Sequence, residues 1–429
     1  MQLRRIYLRY FPPGLRLEYS HANGTTHKKT IDLLTISPES NIQLVVNQLV
    51  ESERLLTKAT IPKLKELLHR LVDKQLEVEH AKKRAYQLHS VVRPHTLPMT
   101  NFCFSKYARL VATGSYDKSI KLTHPLQRKP TALDDKLTLV GHESVVYSLT
   151  FNAPHATHLL SGSFDKTCRI WDVATQSCKG IYRGHEGEVV GVGYSPNTDQ
   201  FGSCSMDCTT IIWDIEKEQE LFALVGHTAE VSCLAFDSTG QFVATGACDA
   251  AVRLWDTRFG GCFRSLEAHT AEISHVMFDH PSHMLVSSAA DHTCRVWDTR
   301  TGKCLFELTN HQDEVNDATF NSTGALLATC GADGKAFIYD TLTGTLRARL
   351  VGHSQSVAKV CFNMQGSLVL TASADGTARV WDSFSGECLQ VLRGHEEEVF
   401  SCGFSYCGEL ALTASTDNSV RVWQREKEI

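Results

Sequence analysis

GHESVVYSLTFNAPHATHLLSGSFDKTCRIWD, residues 141–172, decides the fold. A Gly-His pair opens it, two alternating runs follow with a turn between them, and a third run ends in Trp171-Asp172. Alternation of this kind marks half-buried strands. The rest of the chain echoes this unit. Histidines in the same setting stand at His95, His142, His185, His227, His269, His311, His353 and His395, with successive spacings of 47, 43, 42, 42, 42, 42 and 42. An aspartate answers Asp165 in every other unit, at Asp117, Asp207, Asp249, Asp291, Asp333, Asp375 and Asp417.

Four positions recur in register: the His, a hydroxyl four residues before the Asp, the Asp, and an aromatic six residues after it. In the second unit they are His142, Ser161, Asp165 and Trp171. They return as His185, Ser203, Asp207 and Trp213, then as His227, Thr245, Asp249 and Trp255. The fifth unit has His269, Ser287, Asp291 and Trp297; the seventh has His353, Thr371, Asp375 and Trp381; the eighth has His395, Thr413, Asp417 and Trp423. Tyr339 takes the aromatic place in the sixth unit, beside His311, Thr329 and Asp333, and Thr123 takes it in the first, beside His95, Thr113 and Asp117. An indole N–H can only donate, a hydroxyl donates and accepts, an imidazole relays, and a carboxylate terminates. Buried between strands, such a chain satisfies every polar group it contains and fixes the register. Ser, His and Asp in one unit also suggest a hydrolase triad, but a catalytic site has no reason to recur eight times at constant spacing. A structural tetrad does.

Self-similarity at about 40–45 residues with Gly-His and Trp-Asp marks resembles the WD40 blade. The expected fold is all-β: an eight-bladed WD40 β-propeller over residues 86–429, preceded by a small basic α+β module over residues 1–85. The chain ends six residues after Trp423, so the last unit lacks an outermost strand of its own, and residues 86–92 are expected to supply it and close the ring.

The module reads in order. Residues 2–10 and 15–20 alternate around Pro12-Pro13-Gly14, a hairpin signal, and residues 28–34 can add a strand. Ser37-Pro38-Glu39 reads as an N-cap with proline at the first helical position, and Leu44, Val45, Gln48 and Leu49 as the stripe behind it. A second helix is expected from Thr60 to about Arg84, with Leu64, Leu67, Leu68, Leu71, Val72, Gln75 and Leu76 as its apolar face. The run Lys82-Lys83-Arg84 is a solvated helix end or a basic contact surface.

Composition narrows the function. Hydrophobic content of 42% and charged content of 21% are those of a soluble domain. The start MQLRRIYLRYFPPG has no apolar core for a signal peptide, and no run is long enough to span a membrane. Fifteen cysteines without a CxxC pair fit reduced thiols in the cytosol, with no metal site and no cofactor expected. Net charge is −5, yet residues 1–94 carry 16 Lys/Arg against 9 Asp/Glu and the remaining chain 27 against 39. An acidic main domain is not that of a nucleic-acid binder. With neither a phosphate loop nor an unrepeated acid/base pair, an enzyme is not expected.

Partner contacts are expected on one rim. Three residues after the His stand Glu188, Glu230, Glu272, Glu314 and Glu398, either a ring for a basic segment or a solvated acidic edge. Before the turn Asp the early units carry Tyr116, Phe164 and Met206, and Tyr147 and Phe400 follow their His by five. These make an expected aromatic arc over blades eight, one, two and three, with partial burial against the module as the alternative.

The head LRYFPPGLRLEYS, with KTIDLL and LLT after it and eight uninterrupted units ending in RVW, resembles the dynein assembly factors with WD repeats of cilia and flagella. GSFDKTCRIWD and GECLQVLRGHEEEVFSCGF are similar to blades of that family, and Thr123, the longer loop after it and the charged tail depart from it. The resemblance implies a cytoplasmic and ciliary cargo adaptor, at basal body and axoneme. It would couple outer-arm dynein to intraflagellar transport trains through a complex B subunit. It implies no membrane or nucleic-acid partner, and the chain is expected to be a monomer. The resemblance also implies a train contact in the cleft between module and propeller. The alternative is a substrate receptor of a cullin-4 ubiquitin ligase or a general scaffold, since Trp255-Asp256-Thr257-Arg258 and Trp297-Asp298-Thr299-Arg300 fit a WDxR pattern.

Overall fold

The structure is a computed structural model describing residues 2–10, 13–20, 26–33, 36, 40–53, 56–57, 60–81, 84–105, 108–126, 137–153, 155–197 and 199–426. The chain divides into two compact units, one formed by Met1–Arg84 and Met364–Ser367 and the other by Ala85–Asn363 and Leu368–Ile429.

In the first unit, strands Gln2–Arg9, Gly14–Ser20 and Thr26–Asp32 make an antiparallel sheet with the second strand central. Period-2 alternation puts Leu15 and Leu17 on one face, where they pair with Leu8 and Ile6 across the sheet. Helices Ile42–Ser52 and Ile61–Ala81 complete the unit, and Leu15, Leu17, Val46, Leu49, Leu64, Leu68 and Leu71 form its core. The first helix departs from expectation. Its cap is Asn41, whose Oδ1 accepts from the backbone N–H of Gln43 and Leu44. The buried stripe is therefore Val46 and Leu49 flanked by Ile42, Val45 and Val50, while Leu44 faces out. Residues Ser37, Pro38 and Glu39 lie outside the described residues. The second helix is described as far as Ala81, and Arg84 is not helical.

The second unit holds eight four-stranded antiparallel sheets, each running from an innermost strand a to an outermost strand d. The third blade is typical: Val189–Tyr194, Gln200–Ser205, Thr209–Asp214 and Gln219–Val225. A sheet of this kind has two apolar faces, and each is covered by the neighbouring blade. Trp381 of blade seven, for example, shares a cluster with Leu326, Ile338 and Leu350 of blade six.

The eighth sheet is completed from a distant part of the chain. Tyr86–Val92 pairs antiparallel with Val420–Arg425, Leu88 opposite Trp423 and Tyr86 opposite Arg425. Tyr86 anchors it: its hydroxyl donates to Gly408 O at 2.7 Å, and its backbone N–H and carbonyl exchange hydrogen bonds with the Gln390 amide at 2.7 and 2.6 Å. Burial pushes the phenol pKa up to about 12. Blades one and eight then meet through Met99, Phe102, Leu410, Leu412, Val420 and Val422. Between them Gly403 is required, because a Cβ there would stand 2.5 Å from the Phe104 ring.

Candidate functional site

The repeated polar set is assembled by the blade's own strands. The His closes the d–a loop, the hydroxyl sits in strand b, the Asp begins the b–c turn, and the Trp ends strand c. In the second blade Trp171 Nε1 donates to Ser161 Oγ at 2.9 Å, Ser161 Oγ lies 2.7 Å from His142 Nε2, and His142 Nδ1 lies 2.8 Å from Asp165 Oδ2. The six Trp-bearing blades repeat the indole bond at 2.8–3.0 Å. All eight bring His Nε2 within 2.7–2.9 Å of the hydroxyl. His Nδ1 lies within 2.7–3.2 Å of the carboxylate in each.

Charge states follow from burial. Loss of water holds the imidazoles of His95, His142, His227, His269, His311 and His353 below their usual pKa, and that of His395 at about 4. The rings are therefore neutral at pH 7. A carboxylate only accepts, so Nδ1 carries the proton and donates to it, and Nε2 accepts from the hydroxyl. The aspartates are also desolvated, but donors around them overcome this and bring Asp207, Asp375 and Asp417 down to about 2.

One contributor was overlooked by sequence reasoning. A hydroxyl two residues after the Asp donates to its other oxygen: Thr167 to Asp165 Oδ1 at 2.6 Å, and likewise Ser119, Thr209, Thr293, Thr377 and Ser419. Its fixed spacing in six of eight units was the available signal. The sixth blade also differs from the simple substitution expected of it. Tyr339 donates to Asn310 Oδ1 at 3.0 Å, and Phe337 packs edge-on against His311.

The rim residues are placed beside one another by the same turn. The residue before each turn Asp donates its backbone N–H to the carbonyl of the residue three after the His: Met206 to Glu188, Cys248 to Glu230, Ala290 to Glu272, Ala332 to Glu314 and Thr416 to Glu398. Glu230, Glu272, Glu314 and Glu398 are exposed and Glu188 is half-buried. Their fields reach one another's blades. Partial burial and then the Glu272 and Glu230 carboxylates push the Cys248 thiol up.

The arc is narrower than expected. Tyr116, Tyr147 and Met206 are 47, 40 and 44% exposed. Phe164 stacks under Tyr147 at 5.0 Å, and Phe400 turns into the cluster joining blades eight and one. Arg84 is half-buried, and Lys82 and Lys83 lie outside the described residues. Among the described residues no His, Cys, Asp and Glu group could hold a metal ion, and no helix is long and apolar enough to cross a membrane.

Eight four-stranded sheets in a ring, each carrying this His–hydroxyl–Asp network, define a β-propeller of repeated blades. The model of the WD domain, G-beta repeat, matches residues 86–123, 134–172, 176–214, 218–256, 260–298, 302–340, 344–382 and 386–424, and the chain belongs to that WD-repeat family.

Among curated proteins it is similar to "Dynein assembly factor with WD repeat domains 1" of Xenopus laevis, 41% identical over 156 residues, 36% of this chain and 35% of the relative. The protein of that name from Homo sapiens is 40% identical over the same length and shares. The match thus spans about a third of the length of these relatives. Among solved structures, the computationally designed Ika8 protein superposes with a TM-score of 0.70 at 29% identity, covering 79% of this chain and 99% of the designed one.

Proposed function

We propose that the chain is a non-enzymatic adaptor in dynein assembly, working in the cytoplasm and the cilium, which presents outer-arm dynein to intraflagellar transport trains. The observation that carries this reading is the 156-residue similarity to dynein assembly factors at 40–41% identity. The site chemistry supports the absence of catalysis: each His–Asp pair is buried, satisfied and repeated, so none stands ready to move a proton to a substrate. Binding is then the work of surfaces. The exposed Tyr116, Tyr147 and Met206 beside the glutamate rim suit a partner segment with an apolar anchor and flanking basic residues. A contact by Lys82, Lys83 and Arg84 in the module is a second part of the proposal.

Affinity purification of the tagged full chain from ciliated cells tests it, with Glu230→Lys/Glu272→Lys beside it. Recovery of outer-arm dynein and of a complex B transport subunit is the expected result, with one of them lost in the rim variant. Recovery of cullin-4 ligase subunits, or of neither dynein nor train, overturns it.

A further inference from the structure

A hollow of about 490 Å³ lies at the end of the fifth blade remote from its turn Asp, lined by His283, Met284, Asp298, Thr299, Arg300 and Leu305. It is rigidly built. Met284 pairs with Asp298 across the sheet, and Thr299 Oγ1 donates to the carbonyls of Ser282 and His283 at 2.9 and 3.0 Å. The Arg264 side chain lies across Gly302, and its guanidinium donates to Arg300 O at 2.7 Å, which fixes the turn from the neighbouring blade.

The charged groups here differ in how far their hydrogen-bonding capacity is already used. Asp298 spends its oxygens on its own turn, accepting from Arg300 N, Thr301 N and Thr301 Oγ1. Glu307 is paired with Arg295. The corresponding arginine of the fourth blade, Arg258, is folded back onto Asp256 at 2.6 and 3.0 Å. By contrast, no hydrogen bond or ion pair among the described residues engages the Arg300 guanidinium; its charge acts on Asp298 only through space, and Lys303, three residues along the chain, is exposed. Apolar surface adjoins this charge: Leu305 is 43% exposed, and Met284 is half-buried.

We propose that the hollow docks an acidic peptide segment of a partner protein, a carboxylate pairing with Arg300 and a neighbouring apolar side chain entering against Met284 and Leu305. A planar guanidinium takes a carboxylate through two parallel N–H bonds. A propeller acidic elsewhere disfavours the same segment at other points, so the site also supplies register.

The test uses phage-displayed random 12-residue peptides panned on the full chain, with Arg300→Glu and Arg258→Ala in parallel. All three are first shown to melt together, as expected when the Arg300 turn is held through its backbone. The expected harvest contains Asp or Glu within four residues of Leu, Met or Phe. Synthetic copies should bind wild type and Arg258→Ala equally and Arg300→Glu at least tenfold more weakly. A harvest indifferent to Arg300, or one that depends on it but is basic, overturns the assignment. This outcome is independent of whether dynein is a partner.

Discussion

The phenol of Tyr339 donates to Asn310 at 3.0 Å, and the two residues together replace a Gly–Trp pair used elsewhere in the ring. Where the aromatic is Trp, the residue before the His is Gly in blades two, three, four, seven and eight. The contact is close: a Cβ on Gly184, Gly226 or Gly352 would stand 3.0, 3.2 or 3.3 Å from the far edge of Trp213, Trp255 or Trp381, and blade five admits nothing larger than Ala268 beside Trp297. In blade six the smaller ring leaves room, and Asn310 fills it while taking the hydroxyl proton.

Tyr339→Trp alone should therefore overpack against Asn310 and cost about 1–3 kcal/mol. Adding Asn310→Gly should recover most of that loss, because the indole N–H then reaches Thr329 as it does its counterparts in other blades. Denaturant unfolding of the four species forms the cycle. Strict additivity of the two changes would show that the sites are not coupled.

Asp291 accepts from His269 Nδ1 at 2.8 Å, Thr270 N at 3.0 Å, Thr293 N at 3.0 Å and Thr293 Oγ1 at 2.7 Å. Its removal leaves all four donors without their acceptor in a half-buried turn, where the buried His269 has the least access to water. Asp291→Ala should cost about 2–4 kcal/mol, seen as a lower unfolding midpoint. Asp291→Asn keeps an oxygen for some of them and should fall between. A melting curve unchanged by the alanine would mean the network contributes nothing net.

Histidine burial gives the fold a pH dependence of defined sign. The seven rings held below their usual pKa bind protons more readily when the chain unfolds, so stability is complete above about 6.5 and falls as pH drops toward about 4, the value at His395. The aspartates act in a lower window. Their stabilisation is present above about 3.8 and is lost as pH falls through about 2. Thermal unfolding followed from pH 7.5 to 5 should show a steadily falling midpoint. A flat or rising midpoint over that interval contradicts neutral buried imidazoles.

The blades were legible because seven of the eight lie within one sequence period, and the same local pattern is written eight times. Side-chain direction was less so. Phe400 alternates correctly for an exposed rim residue and shares with Tyr147 a register shift at this position. Yet it packs against the Phe102 cluster whereas Tyr147 is exposed, a difference set by the neighbouring blade and not by local sequence. Leu44 does not belong to the stripe because, at about 100° per residue, it lies opposite the face shared by Ile42, Val45, Val46 and Leu49. Asn310 carried no signal at all, since its role appears only once the Gly–Trp contact is seen. The unpaired state of Arg300 was equally hidden, because Arg258 has the same local sequence and a closed ion pair.

The b–c turn places one residue after each Asp in the left-handed region, and only two blades put glycine there, Gly334 and Gly376. Ala250 holds φ at 62° and Cys208 at 66°, while Gly376 stands at 76°. A Cβ on Gly376 would meet nothing nearer than His395 O at 3.4 Å, so its substitution isolates the backbone preference from packing. Gly376→Ala should destabilise by about 1 kcal/mol, the cost of that conformation for an L-residue. Ala250→Gly should move the midpoint the other way by a smaller amount, because glycine's greater freedom in the unfolded chain offsets part of the relief. Chemical denaturation of the two variants in parallel checks both signs. No loss of stability in Gly376→Ala would mean that the turn is held by the Asp375 bonds strongly enough to make backbone preference irrelevant.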